Sequence, residues 1–554
     1  MIFDKLPKLV KLLFITVLLT ISLSSTAQTG VKYVPLQGMN DETLYRTVTS
    51  ELSGDAFGGR KPLTPYEALT VEYIANRFKE IGLEPAAGGS FLQKVPLLSV
   101  ATHLKNNEIV VNGAKKTVKL RSWDDIVLWT LRADKHLKVN KADFVFAGFG
   151  IYAPEYGWDD YAGIDVKGKV VVLLVNDPGF YDDNLFRGKN MTYYGRWVYK
   201  FAEAGRRGAA AALIIHDTEP ASYGWSVVQN SRFSSTLTLY SESGNAELIP
   251  YQGWVNGESA KKLFEAAGVS LDESVAAAKK KGFKSFPLPL KTTIESTNEV
   301  IFGESANVAA ILPGTSLKDE YIIYTTHWDH LGIGQPVNGD SIYNGANDNA
   351  TGVAALMMLG RRFKELPERP KRSIVFLAVT AEESGLLGSE YYAQNPLFPL
   401  EKTAVCLNMD SYGDRMRTSD VILSAPGHSE TDRYVIDAAA AQGRTVTCSY
   451  DNSTGGYYRS DHFNFAKAGV PVVLASGGTN YIDPEAARAY NAKYHDGKYI
   501  YHQPSDEYFD WWDLTGTLED IYLFYGIGLR LANDGYFPKW NDGVEFKAAR
   551  EKQK

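Results

Sequence analysis

From about residue 291 onward the chain repeats one pattern: a short apolar run, a loop rich in charge and glycine, then a helical spacing. The apolar runs fall at 321–326, 373–380, 404–409 and 470–476, and the clearest helical pattern lies at 351–366. These runs are apolar at nearly every position instead of every second one. A strand of that kind has no water-facing side, so it belongs in a sheet covered on both faces. Helices between such strands supply the covers and favour parallel pairing. The expectation is an α/β fold, a mainly parallel mixed sheet with helices on both faces. In such sheets, sites form just beyond the carboxyl ends of the strands.

The residues at those ends are the ones that carry chemistry. The first run is followed by His327, Trp328, Asp329 and His330, the second by Glu382 and Glu383, and the third by Asp410. Between the first two lies "NGANDNATG", with Asp348 just ahead of a helix start, and further on "YIYHQPSDE" presents Tyr501 and His502. Singly, each has a plain structural reading. A histidine after a strand is more often a satisfied core or surface residue than a ligand. An aspartate before a helix is most often an N-cap, and one after a strand a turn residue. Together they converge on one edge of the sheet. Two imidazoles with three or four carboxylates suit a pair of zinc-like ions. Such ions also make the Glu382–Glu383 pair tolerable, since one glutamate is neutralised as a ligand while its neighbour takes a proton from water.

In order and spacing, "HWDHLG", "NGANDNATG", "AEESGLLGS", "NMD" and "YHQPSD" resemble the motif series of the family of bacterial leucyl aminopeptidase and glutamate carboxypeptidase II. These are zinc exopeptidases with two co-catalytic metals and a phosphorylase/hydrolase-like fold. The likeness covers about 40–130 and 291–545, and every metal-ligand position follows the pattern. The resemblance implies two Zn2+ per chain. His327 and Asp410 would bind one, Glu383 and His502 the other, and Asp348 would bridge them across a cis peptide bond to Asn349. It implies Glu382 as general base and then acid, and Asp329 as the group that orients the His327 imidazole. Tyr501 and Tyr457 both match positions that hydrogen-bond the oxyanion in different members. His330 and His462 fall beside the ligands.

The implied substrates are peptides. An aminopeptidase is favoured, because residues 445–501 contain only Arg459 and Arg488 as arginines, while the acidic loops suit an ammonium. Arg415 and Arg417 keep a carboxypeptidase open. A one-zinc acyl transferase of the glutaminyl cyclase type would use the same fold. A non-catalytic binding protein is a further reading, and the oxygen-rich ligand set speaks against it.

The remaining sequence frames this core. Residues 1–27 read as a cleavable signal peptide: Lys5, Lys8 and Lys11, an apolar run of about a dozen residues, and small residues before a cut after Ala27. That run is short of the ~20 residues that span a bilayer, so a periplasmic or secreted protein without stable membrane insertion is expected. Residues 28–134 form the first part of the peptidase domain, with a helix ended by Gly82. Residues 135–290 switch to short β-rich runs, and "DVKGKVVVLLVNDPG" and "AGRRGAAAALIIHD" resemble the protease-associated (PA) domain, a β-rich module inserted into many members. The main peptidase part follows over 291–545, then a charged tail over 546–554. A net charge of −7, with no extended basic stripe, argues against nucleic acid as a partner. With only Cys406 and Cys448, this chain rests on its core and not on a disulfide framework.

Overall fold

The computed structural model describes residues 34–230, 235–494 and 500–552, so the proposed leader lies outside the described residues. Residues 38–554 form one unit. Its elements, in chain order, are α1 (Asp41–Leu52), α2 (Pro65–Ile81), β1 (Leu92–Leu104), β2 (Ile126–Trp129), β3 (His136–Phe146), β4 (Val170–Leu174), α3 (Trp197–Arg206), β5 (Ala211–His216), β6 (Tyr251–Asn256), α4 (Gly257–Ala267), β7 (Phe286–Leu312), β8 (Leu317–His327), α5 (Thr351–Lys364), β9 (Arg372–Val379), β10 (Thr403–Asn408), β11 (Val472–Val473) and α6 (Thr515–Asn533), with shorter pieces between.

The main sheet runs β11-β10-β8-β9-β7-β3-β4-β5-β6-β2. It contains two parallel stretches. In the first, β11, β10, β8 and β9 pair in parallel. In the second, β3, β4, β5 and β6 do. The 27-residue strand β7 joins them, antiparallel to both. Its end, Val308–Leu312, pairs with β9, while residues between Phe286 and Thr297 pair with β3. The 135–290 block thus runs into the first parallel stretch along a continuous strand. Its apolar residues pack in two clusters, one including Phe144, Val172 and Phe264, the other Val171, Phe201 and Ile214, and both also take in residues from before 135, such as Ile126 and Val127.

The apolar runs of the first stretch are buried, as their unbroken apolar character requires: β9 and β10 are buried at every position and β8 from Tyr321 onward. Helix α5 covers one face with Val353, Leu356, Met357 and Phe363 fully buried. Helix α2 begins with Pro65 and ends at Gly82, which takes φ 85° and returns its amide to the Lys79 carbonyl. The run at 470–476 is split. Val472–Val473 joins the main sheet, and Ala475–Gly477 pairs with Asp420–Ser424 in a small second sheet. Cys406 is buried, Cys448 is exposed, and both are free thiols. The charged C-terminal segment carries a short helix, Lys547–Lys552, held where Arg550 donates to the carbonyls of Leu400 and Thr403. Among the described residues no helix is long and apolar enough to cross a membrane.

Candidate metal centre

His327 is the last residue of β8 and is buried. Its Nδ1 lies 3.1 Å from the Asp329 carbonyl, which can only accept, so Nδ1 keeps its proton when the ring is neutral. This leaves Nε2 facing the site, 3.3 Å from Asp348 Oδ1 and 3.3 Å from Asp410 Oδ1. On the other side, His502 Nε2 lies 3.4 Å from Asp348 Oδ2 and 3.0 Å from Glu383 Oε2. The two oxygens of Asp348 therefore face two different imidazoles, each with a further carboxylate beside it. Two groups of donor atoms gather within 4.8 Å: His327, Glu382 and Asp410, and His330, Asp348 and Glu383. Glu382, expected as a base, stands in the first group. His330, expected as a bystander, stands in the second, with Nδ1 2.6 Å from Glu383 Oε1.

Asp329 meets the site through both its carbonyl and its carboxylate. Its carboxylate is 3.8 Å from His327 Nδ1 and instead accepts from the amides of Glu382, at 3.0 Å, and Glu383, at 3.4 Å. The chain turns at Ala381, with φ 53°, as it leaves β9. The main-chain carbonyl of Asp329 orients the imidazole, and its carboxylate fixes the two glutamates.

The loop bearing Asp348 is held from several directions. The Asp348–Asn349 bond is cis. Asp506 accepts from the amides of Asn347, at 2.9 Å, and Asp348, at 3.0 Å, and its carbonyl accepts from Ala346 at 3.0 Å. Asn349 donates to Thr326 Oγ1 and to the Met409 carbonyl, and its Oδ1 accepts from Gly352 and Ser411. One amide thus joins the ends of β8 and β10 to the start of α5. Gly352 is required there, since a Cβ would sit 2.2 Å from Thr326 Oγ1. On Asp410, Ser460 donates to Oδ2 at 2.7 Å.

The two tyrosines differ. Tyr501 is 49% exposed and stacks on the His502 ring at 3.8 Å and 17°. Tyr457 is buried between His428, His462 and Phe546, and its hydroxyl lies inside the wall without a hydrogen-bond partner. His462 donates its Nε2 proton to the Tyr457 carbonyl at 2.7 Å. A cavity of about 840 Å3 opens beside Asp410 and includes Arg187 and Met191 from the 135–290 block.

The charges explain why such a cluster needs a cation. Burial opposes charge on His327, but Glu382, Asp410 and Asp348 outweigh it and hold its pKa well above the usual range. Burial likewise opposes charge on His502, and Glu383 and Asp348 raise it to about 10. Burial, with Glu383, Asp461 and Asp410, pushes Glu382 well up despite His327. Imidazole nitrogens interleaved with carboxylate oxygens, with no thiol in either group, form a donor set that fits zinc-type divalent ions.

Sequence reasoning missed four supports: Asp506, Asn349, Ser460 and Asp461, the last accepting from Ser389. Asp506 and Asn349 stand inside or beside the motifs, but they act on main-chain atoms and leave no residue-type signature.

Residues 307–524 match the sequence profile of Peptidase family M28. The chain is 31% identical over 176 residues to Aminopeptidase NAALADL1 of Mus musculus, covering 30% of this chain and 22% of that protein. It is 26% identical over 344 residues to Aminopeptidase YwaD of Bacillus subtilis (strain 168), covering 61% of this chain and 59% of that one. The matches thus span about a fifth and about three-fifths of those relatives' lengths. Among solved structures, an aminopeptidase from Aneurinibacillus sp. strain AM-1 aligns over 90% of this chain and 95% of its own, at 20% identity and a TM-score of 0.49.

With their pKa values raised by the surrounding carboxylates, His327 and His502 would each give up a proton on binding a metal. Zinc binding to the metal-free protein at pH 7 should therefore release about two protons. Calorimetry in buffers of different ionisation enthalpy will read this, and affinity should rise with pH. Binding without proton release would show both rings to be neutral beforehand. Every residue of the two donor groups lies within the segment that matches the Peptidase family M28 profile, residues 307–524.

Proposed function

We propose that this chain is an exported zinc exopeptidase that removes N-terminal residues from peptides. The observation that carries the reading is the carboxylate of Asp348 set between two imidazoles, with Glu382 beside one of them. His327 and Asp410 would hold one Zn2+, Glu383 and His502 the other, and Asp348 would be shared; His330 would brace Glu383 from behind. When bound, the two ions supply Lewis acidity toward a peptide carbonyl and make water acidic enough to act near neutral pH.

The chain's own residues do the rest. Glu382 takes the proton of the attacking water as its oxygen bonds to the carbonyl carbon. Its raised pKa suits a group that holds this proton and then delivers it to the amine nitrogen as the C–N bond breaks. Tyr501, exposed and stacked beside His502, donates a hydrogen bond to the carbonyl oxygen as that oxygen gains charge. Tyr457 has its hydroxyl turned into the wall and serves packing.

The cavity's charges support the amine end of the substrate. Its two arginines are engaged: Arg187 with His428 and Glu545, Arg415 with the Gly477 carbonyl. Asp414 and Asp451 line the same space. NAALADL1 and YwaD are both named as aminopeptidases, in keeping with this reading. We read residues 135–290 as the PA-like insertion, here closing part of the cavity: the Met191 amide donates to the Asn452 carbonyl at 3.1 Å, and Asn452 donates back to the Met191 carbonyl at 2.9 Å. Export rests on the leader pattern of residues 1–27.

The adjacent glutamates should separate by function. Glu382→Gln keeps the shape and removes the base, so turnover should fall at least ~10²-fold with metal content unchanged. Glu383→Ala should lose metal instead. Near wild-type turnover in Glu382→Gln would assign the base elsewhere. For the chain end, one peptide in two blocked forms decides. N-acetylation should abolish cleavage, and C-terminal amidation should leave it nearly intact. The opposite pattern makes the enzyme a carboxypeptidase.

A further inference from the structure

The segment "SGDAFGGRKPL", residues 53–63, supplies no residue to the site described above, yet it reaches it. Gly58, Gly59 and Arg60 all take left-handed conformations, with φ of 49°, 67° and 51°. A Cβ on Gly59 would lie 2.4 Å from the Tyr343 carbonyl oxygen and 2.8 Å from Gly332 Cα. The backbone therefore passes directly against the hairpin strands Gly332–Val337 and Asp340–Tyr343, which lead into the Asp348 loop. Only a chain without a side chain at 59 comes this close.

This passage places Arg60 inside the protein, at 0% exposure. Its guanidinium makes four hydrogen bonds, all to main-chain carbonyls. Nε donates to Trp328 at 2.8 Å, Nη1 to Leu52 at 2.9 Å and Asn344 at 2.6 Å, and Nη2 to Gly345 at 2.8 Å. Trp328 directly follows His327, and Asn344 and Gly345 lead to Asp348. One side chain thus ties together the two loops that carry these ligands. Asn344 reinforces the tie, its amide donating to the Ser53 carbonyl at 2.7 Å and to Asp55 at 2.9 Å. Burial draws the Arg60 pKa down to about 10, and the charges of Asp506, Asp348, Asp329 and Glu383 act against that fall.

On the reading of the site given above, we propose that Arg60 is a positioning residue of the metal centre. Its rigid fork sets the spacing between the His327 loop and the Asp348 loop, and its buried charge offsets part of the carboxylate repulsion there. A lysine keeps the charge, but its single nitrogen does not span four carbonyls lying in different directions.

The test measures zinc affinity by competition with a chromophoric chelator for the wild type, Arg60→Lys and Asn344→Ala. Heat unfolding of each metal-free protein and steady-state kinetics at saturating zinc accompany it. Arg60→Lys, folded by circular dichroism, should bind zinc at least ~10-fold more weakly at one site or both. With zinc restored, its kcat should fall while KM stays within about twofold. Asn344→Ala, which keeps Arg60 but removes the two reinforcing bonds, should weaken binding by a smaller factor. Wild-type zinc affinity in folded Arg60→Lys overturns the proposal, including when its unfolding midpoint has dropped, since that is a purely structural role. If Arg60→Lys does not fold, Asn344→Ala decides: weakened zinc binding supports the clamp, and unchanged binding overturns it. A wild type that binds no zinc, cobalt or manganese overturns the reading of the site, and this proposal with it.

Discussion

One carboxylate, that of Asp348, has to face two imidazoles at once, and much of the surrounding structure holds it there. Left to itself, a loop carboxylate would turn toward water. Here the loop is pinned at the main chain by Asp506 and by Arg60, and Asn349 stitches it to the ends of β8 and β10. The strands fix the other partners: His327 closes β8, Asp410 follows β10 by two residues, and the glutamates follow β9. The parallel stretch of the sheet is what brings these three ends side by side.

The same arrangement accounts for two adjacent glutamates at the end of a buried strand. Their amides are both directed at Asp329, which separates the tasks of their side chains. Glu383 turns toward His330 and His502, and Glu382 toward His327 and Asp410. Burial and the neighbouring carboxylates push Glu382 well up, while His330 and His502 outweigh burial at Glu383 and hold it at about 2. Two groups of the same chemistry, one charged and one inclined to hold a proton, suit a ligand and an acid–base group.

Much of this was legible in the sequence, because it depended on local patterns. Fully apolar strands announce a covered parallel sheet, and polar residues just past their ends announce a site. Predicted and observed bounds of β9, β10 and α5 agree within two residues, while β8 begins four residues earlier than its apolar run. The supports were not legible, because each links segments far apart in the chain, several of them through main-chain atoms. Arg60 reaches carbonyls 268 to 285 residues away, and Asp506 reaches amides 158 and 159 residues away. No spacing rule marks such a pair. The way Asp329 meets His327 was not legible for a related reason: its carbonyl and its carboxylate both lie near the same imidazole nitrogen, and the backbone path decides which is nearer. The break of the last apolar run at Leu474 has a similar origin, since its halves pair with different sheets. The block at 135–290 looked separable from its own rhythm, yet its apolar clusters draw in residues from before 135, and β7 carries it into the main sheet without a linker.

The central claim is that Asp348 bridges two metal ions. Anomalous diffraction collected at the zinc absorption edge from zinc-loaded crystals tests it most directly. The account predicts two anomalous peaks, one on each side of the Asp348 carboxylate, the first beside His327 and Asp410 and the second beside Glu383 and His502. A single peak, or two peaks that share no carboxylate, would contradict it.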